Sequence, residues 1–263
     1  MTATTCSPEA PDVASLADIT SQPDYFARVG EVTRRVSDAV DEAEALALLQ
    51  DSTQRMGADA SAFVSFIRDD PSHESYRFLL ACDPVWCLEY ERRAWYADDP
   101  WLNYALNHSE PTQGSKIPAA SRQQQSVLDL AASYGFRSSA IVPAPSGGGL
   151  SRVGVLCLGS QTPGFFEGDG FTALKLMARS LAMELHEWWI GQIKRDLIAN
   201  ARITSEDLLL LRHEWAGHST KQIAAERDTS ASSIDSRFQR INAKLGVANR
   251  KASARLAAEY GLI

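Results

Sequence analysis

Six aromatic residues stand between Cys82 and Gly114, namely Trp86, Tyr90, Trp95, Tyr96, Trp101 and Tyr104, with the acid pair Asp98 and Asp99 among them. A mostly apolar pocket with a few placed polar groups is what a small amphipathic molecule requires. An indole only donates a hydrogen bond and an ionised carboxylate only accepts, so Trp86 with Asp99 suits a ligand offering one carbonyl and one N–H. The same residues also fit a plain aromatic core in which Asp99 caps a helix beginning at Pro100. Spacing alone leaves both open.

A second constellation is basic. From Ser236 to Ala258 the chain carries Arg237, Arg240, Lys244, Arg250, Lys251 and Arg255 and no acid. The whole chain is acidic, at −7, yet residues 200–263 have ten Lys and Arg against seven Asp and Glu, which makes that segment +3 and the remainder −10. A one-sided strip of cations neutralises phosphates and releases their counterions, so double-stranded DNA is the expected partner. Ser233, Arg237 and Arg240 are expected to face base edges, and Lys244, Arg250 and Lys251 phosphates.

Catalytic chemistry finds no such grouping. The sequence has no Gly-x-Ser-x-Gly, no phosphate-cradling glycine loop before a helix and no zinc motif. The five histidines read as isolated from one another, and Cys6, Cys82, Cys87 and Cys157 lack metal-ligand spacing. No enzyme activity, metal or cofactor is therefore expected. Reduced thiols and a cytoplasmic location are the default. No signal peptide, membrane partner or apolar run of about 18 residues is read from the sequence.

These groups must be positioned by elements. Residues 24–37, 41–56, 84–96, 99–108 and 120–134 have helical signals, and Ser61–Ile67, Tyr76–Cys82, Ser138–Pro143 and Val153–Gly159 read as strands, the last two joined by a turn at Gly147–Gly149. A long helix from Asp169 to about Asp196 aligns Phe171, Leu174, Met177, Leu181, Leu185 and Trp188 on one stripe. Trp188 and Trp189 near its end fit either the core or a dimer contact. Beyond a linker, Thr204 with Asp207 and Ser219 with Gln222 have the spacing of capping boxes. Helices are expected over Leu208–Trp215 and Lys221–Arg227, then, after a turn at Asp228–Ser230, one carrying Ile234, Phe238, Ile241 and Leu245 inward, and a last one capped by Asn249. That order is a helix-turn-helix. The fold class is α+β, an N-terminal α-β-α sandwich sensor domain followed by an all-α domain. Its divisions are a flexible 1–20, a sensor at 21–196, a linker at 197–203 and a reader at 204–263.

At Ile203-Thr204, Leu211, Gly217, Ser219, Ile223-Ala224, Ser230, Ile234, Ile241, Lys244-Leu245, Val247, Arg250 and Gly261-Leu262-Ile263, the last sixty residues resemble the DNA-binding domain of LuxR-family transcription regulators. Glu206, Asp207 and Arg237 depart from that pattern, which usually has a basic residue, a Glu and a His there. Trp86, Tyr90, Asp99 and Pro100 resemble the same family's acyl-homoserine-lactone-binding motif. The resemblance implies a homodimeric quorum-sensing regulator of transcription. It also implies that Trp86 donates to the lactone carbonyl, Asp99 accepts from the ligand amide and Tyr90 lines the pocket. Cys82, Trp101, Ser139 and Cys157 complete the expected ligand-contacting set. Three members of the pattern differ: Cys82 stands in place of a Tyr that donates to the acyl carbonyl, Gly114 in place of a second Trp, and Ser139 in place of a Gly. Trp101 is bulkier than the family's residue and is expected to fill the space left at Gly114. The alternative is a regulator of the same build that takes a different small molecule, or none.

Overall fold

The computed structural model describes residues 14–68, 75–146 and 152–263. The first thirteen residues, Cys6 included, and the turn expected at Gly147–Gly149 lie outside the described residues. The strands are β1 (Ala60–Ile67), β2 (Arg77–Ala81), β3 (Thr112–Gln113), β4 (Ser138–Pro145) and β5 (Arg152–Ser160). They form one antiparallel sheet in the order β2-β1-β5-β4-β3. The helices are α1 (Leu16–Thr20), α2 (Tyr25–Thr33), α3 (Glu42–Arg55), α4 (Pro84–Arg92), α5 (Pro100–Asn107), α6 (Arg122–Ser133) and α7 (Phe171–Ala201), then α8 (Ser205–Trp215), α9 (Thr220–Glu226), α10 (Ala231–Leu245) and α11 (Arg250–Glu259).

Strand alternation sorts the apolar residues into two layers. Phe63, Ala140, Val142, Leu156 and Leu158 face α1, α2, α3 and α7, while Ala62, Val64, Ile141, Val155 and Cys157 face α4, α5 and α6. The sheet is therefore covered on both sides, as an α-β-α sandwich. The four C-terminal helices close a third core around Leu211, Ile223, Ile234, Phe238, Ile241 and Ala257. Both capping boxes form: Thr204 and Ser219 accept from the amides of Asp207 and Gln222, whose side chains accept from the cap amides in return. Ser230 and Asn249 cap α10 and α11.

Two expectations are corrected, and one open reading falls to the core. Residues 14–20, assigned to a flexible end, include α1, whose Leu16 is buried against the sensor core. The linker at 197–203 is mostly helix, because α7 continues to Ala201 and stops only where Arg202 turns left-handed, at φ 48°. Trp188 and Trp189 lie inside the chain's own core, and Trp188 Nε1 donates to the Ala39 carbonyl at 2.8 Å, so a dimer contact through them is not what the fold offers.

Candidate functional site

The aromatic cluster is built by α4 and α5 over one face of the sheet. Pro100 opens α5 with its φ preset and no amide to satisfy, and Asp99 caps the helix from the position before it. Asp99 Oδ1 accepts from the Trp101 amide at 2.7 Å and the Leu102 amide at 3.4 Å. Its Oδ2 accepts the Tyr90 hydroxyl at 2.6 Å. Tyr90 lies one turn beyond Trp86 on α4, with the two rings 5.1 Å apart. Burial raises the Asp99 carboxyl above its usual range, opposed by those three donors. The Tyr90 phenol is pushed well up by burial and by the adjacent Asp99, and the Cys157 thiol by the same two causes.

A cavity opens beside this network. Trp86, Tyr90, Asp99, Trp101, Leu102 and Phe136 form one wall; Ala62 and Val64 of β1, Phe78 and Leu80 of β2 and Cys157 of β5 form the other. Its water-accessible volume is about 40 Å³, a small space. A bulkier occupant requires side chains to swing aside, and the half-buried Phe78 and Leu80 on the edge strand are placed to do so. One donor in the wall has no partner: the indole N–H of Trp101 is buried and unbonded.

Five of the expected ligand residues thus come together, namely Trp86, Tyr90, Asp99, Trp101 and Cys157. Cys82 and Ser139 do not line the cavity. Cys82, just before the turn in which the Asp83 carboxylate accepts the Val85 amide, packs against the aromatic cluster and lines a separate cleft with Asp59, Tyr134 and Gln161. Ser139 lies under Gly114, where its Oγ would be 1.9 Å from a Cβ. Ser139, rather than Trp101, therefore takes the space beside Gly114, while Trp101 packs on Phe136 at 5.9 Å. Sequence reasoning missed Ala62, Val64, Phe78, Leu80, Leu102 and Phe136. Period-two alternation in β1 and β2 was the available signal for four of them.

In the C-terminal domain, α10 turns Ile234, Phe238 and Ile241 inward and leaves its polar face outward. Two of the expected DNA residues on that helix are held by α8. Arg237 pairs with Glu206 at 2.6 Å, Arg227 binds the same carboxylate, and Lys244 pairs with Asp207 at 2.6 Å. Arg250 pairs with Glu214 at 3.0 Å and donates to Thr220 Oγ1 at 2.7 Å. Arg240 and Lys251 are exposed and make no ion pair among the described residues, and Ser233 is half-buried. Holding by Arg227 and Arg237 lowers the Glu206 carboxyl below its usual range, Arg237 contributing most.

The sequence from residue 41 to residue 187 matches the autoinducer binding domain, more than half of the chain and all of the cavity wall. This chain belongs to the autoinducer-binding family. A chain built on an autoinducer-binding domain binds a small signal and is not an enzyme. No curated protein matches the sequence significantly. Among solved structures, the chain is similar to SdiA of Escherichia coli, with a TM-score of 0.72 at 16% identity over 91% of this chain and 99% of that one. SdiA in complex with octanoyl-rac-glycerol gives 0.73 at 15% over 92% and 98%. CepR2 of Burkholderia cenocepacia, described as an N-acylhomoserine-lactone-dependent LuxR family transcription factor, gives 0.54 at 15% over 65% and 98%. The autoinducer-binding domain is thus the sandwich of residues 41–187, preceded by α1 and α2 and followed by the rest of α7 and the four C-terminal helices. No helix among the described residues is long and apolar enough to cross a membrane.

Proposed function

We propose that the chain is a cytoplasmic quorum-sensing transcription regulator, in which the cavity under α4 and α5 takes an acyl-homoserine lactone and the C-terminal helices bind double-stranded DNA as a homodimer. The observation that carries this reading is the unpartnered Trp101 indole beside an apolar cavity. A buried donor left unbonded is costly, and a ligand carbonyl relieves that cost. Trp86 lies in the same wall and can offer a second donor. Occupation stabilises the sensor by mass action, and α7 connects the sensor directly to the reader. On the C-terminal helices, Ser233, Arg237 and Arg240 would meet base edges and Lys244, Arg250 and Lys251 phosphates, after Arg237, Lys244 and Arg250 leave their carboxylates.

A second reading has its own support. Asp99 already accepts from Tyr90 and two amides, so a ligand amide is not needed to satisfy it. An acylated molecule with no N–H for Asp99 would fit equally, and SdiA has been solved with octanoyl-rac-glycerol. Calorimetric titration of the full chain with lactones of short, medium and long acyl chain, and with the matching monoacylglycerols, separates the two. Under the first reading a lactone binds more tightly than its glycerol counterpart, and the reverse order selects the second. In either case Trp101→Phe should weaken binding about three- to tenfold, the worth of one net hydrogen bond. Unchanged affinity in that variant would remove Trp101 from the ligand.

A further inference from the structure

We propose that His213, His218 and Glu226 form a binding site for a divalent transition-metal ion of the zinc class. The site begins in backbone geometry. Helix α8 ends at Trp215 with Ala216 as its cap, and Gly217 follows, whose φ of +80° admits the left-handed turn, with the His218 amide bonded to the His213 carbonyl at 3.0 Å and the Gly217 amide to the Glu214 carbonyl at 3.0 Å. That pair of bonds is the Schellman motif, which brings the side chains three before the cap and two after it together, usually as an apolar contact. Here both are imidazoles, and their Nδ1 atoms stand 2.9 Å apart. The last turn of α9 adds Glu226, with Oε2 3.7 Å from His213 Nδ1. All three ligand atoms lie within 4.8 Å of one another.

These dimensions are close to a chelate. A tetrahedral zinc ion bound at about 2.0–2.1 Å keeps its donor atoms roughly 3.3 Å apart. Small rotations of the exposed Glu226 and the half-buried His218 bring the triangle to that size. Two imidazoles and one carboxylate suit zinc, and also copper or nickel, better than calcium or magnesium. His213 is buried and Glu226 exposed, so the site is walled on one side and open to solvent on the other, with access for the ion and for water as a fourth ligand. Without metal, the proton of one Nδ1 bridges the two rings. With metal, both rings carry their proton on Nε2, and both Nδ1 lone pairs point at the ion. The ion would tie the end of α8 to the end of α9, the helix that packs against α10.

The test is calorimetric titration of zinc chloride into untagged, chelator-treated full chain, with thermal unfolding followed in parallel. One ion per chain is expected, with a raised midpoint. Both His218→Ala and Glu226→Gln alter side chains outside the cores, and each should weaken zinc binding about tenfold or more. No binding by the wild-type chain would overturn the site. Wild-type affinity in both variants would place the ion elsewhere and overturn it equally.

Discussion

His186 on α7 shows how one side chain can set a pH dependence. It is fully buried, and its Nε2 lies 2.7 Å from Ser146 Oγ, whose own hydrogen is committed to the Arg152 carbonyl at 2.6 Å. The ring must therefore donate through Nε2, which leaves Nδ1 as a bare lone pair against Gly154, where a Cβ would lie 2.8 Å away. A second N–H would have no acceptor. Burial, with the nearby Arg152 charge, accordingly lowers the imidazole to about 4. The unfolded chain protonates this residue near 6.5, so between about 6.5 and 4 it binds more protons than the folded chain, and stability falls as pH falls through that window, by about 3 kcal/mol in all. Asp99 acts oppositely: its carboxyl is raised, so its burial favours folding at low pH and opposes it as pH rises through the raised value. Urea unfolding at pH 7, 5.5 and 4.5 should show a steeper loss for wild type than for His186→Gln, and parallel curves would refute the assignment. Little of this was legible in the sequence. The cap at Asp99 was, because Asp-Pro is a local signal. The unpartnered Trp101 indole and the meeting of His213 with His218 were not, because they depend on what the folded chain places beside each group.

At the scale of elements, the first turn of α8 carries Glu206 and Asp207, which are favourable at the positive end of a helix dipole. Between them they hold Arg227, Arg237 and Lys244. Under the proposed function, DNA would have to compete for those cations. Glu206→Gln removes the carboxylate that holds Arg237, a base-edge residue in that proposal, so affinity for the specific duplex should rise more than affinity for random DNA. Equal gains on both duplexes in fluorescence anisotropy titrations would show that Arg237 does not read bases. Helix starts in this domain were legible to within a few residues because capping is local chemistry. The helical linker was not, because Leu197, Ile198 and Ala199 stand as one short apolar run between Asp196 and Asn200, too short to show a period that separates a continuing helix from a loop. Neither α1, with five residues, nor β3, with two, is long enough to show a period.

Across the whole molecule, two connections among the described residues join the sensor domain to the C-terminal helices. One is Tyr260, just past α11, which packs against both the sensor core and the reader core and sets its ring 5.8 Å from the guanidinium carbon of Arg152 at the start of β5. Arg152 is itself buried and bonded to Ser65 and to the Ser75 carbonyl, so it is a fixed platform. A cation over an aromatic ring contributes about 0.5–2 kcal/mol. Tyr260→Ala should therefore lower the coupling between the domains, and scanning calorimetry should show the unfolding transition broadening or splitting in two. A single transition of wild-type width would show that Tyr260 does not carry it. The other connection is α7, whose 31 residues span about 46 Å. It is unbroken between Ile193 in the sensor core and Leu197 against the reader core. Such a rod transmits angle as well as length. Each residue removed or inserted between those two points would turn the C-terminal helices by about 100° and shift them along the axis by about 1.5 Å, so a loss of two residues would face α10 nearly backwards, whereas an insertion of seven would return it to within about 20° of its starting azimuth. The direction in which the C-terminal helices face is thus a matter of helical phase, counted in residues along α7.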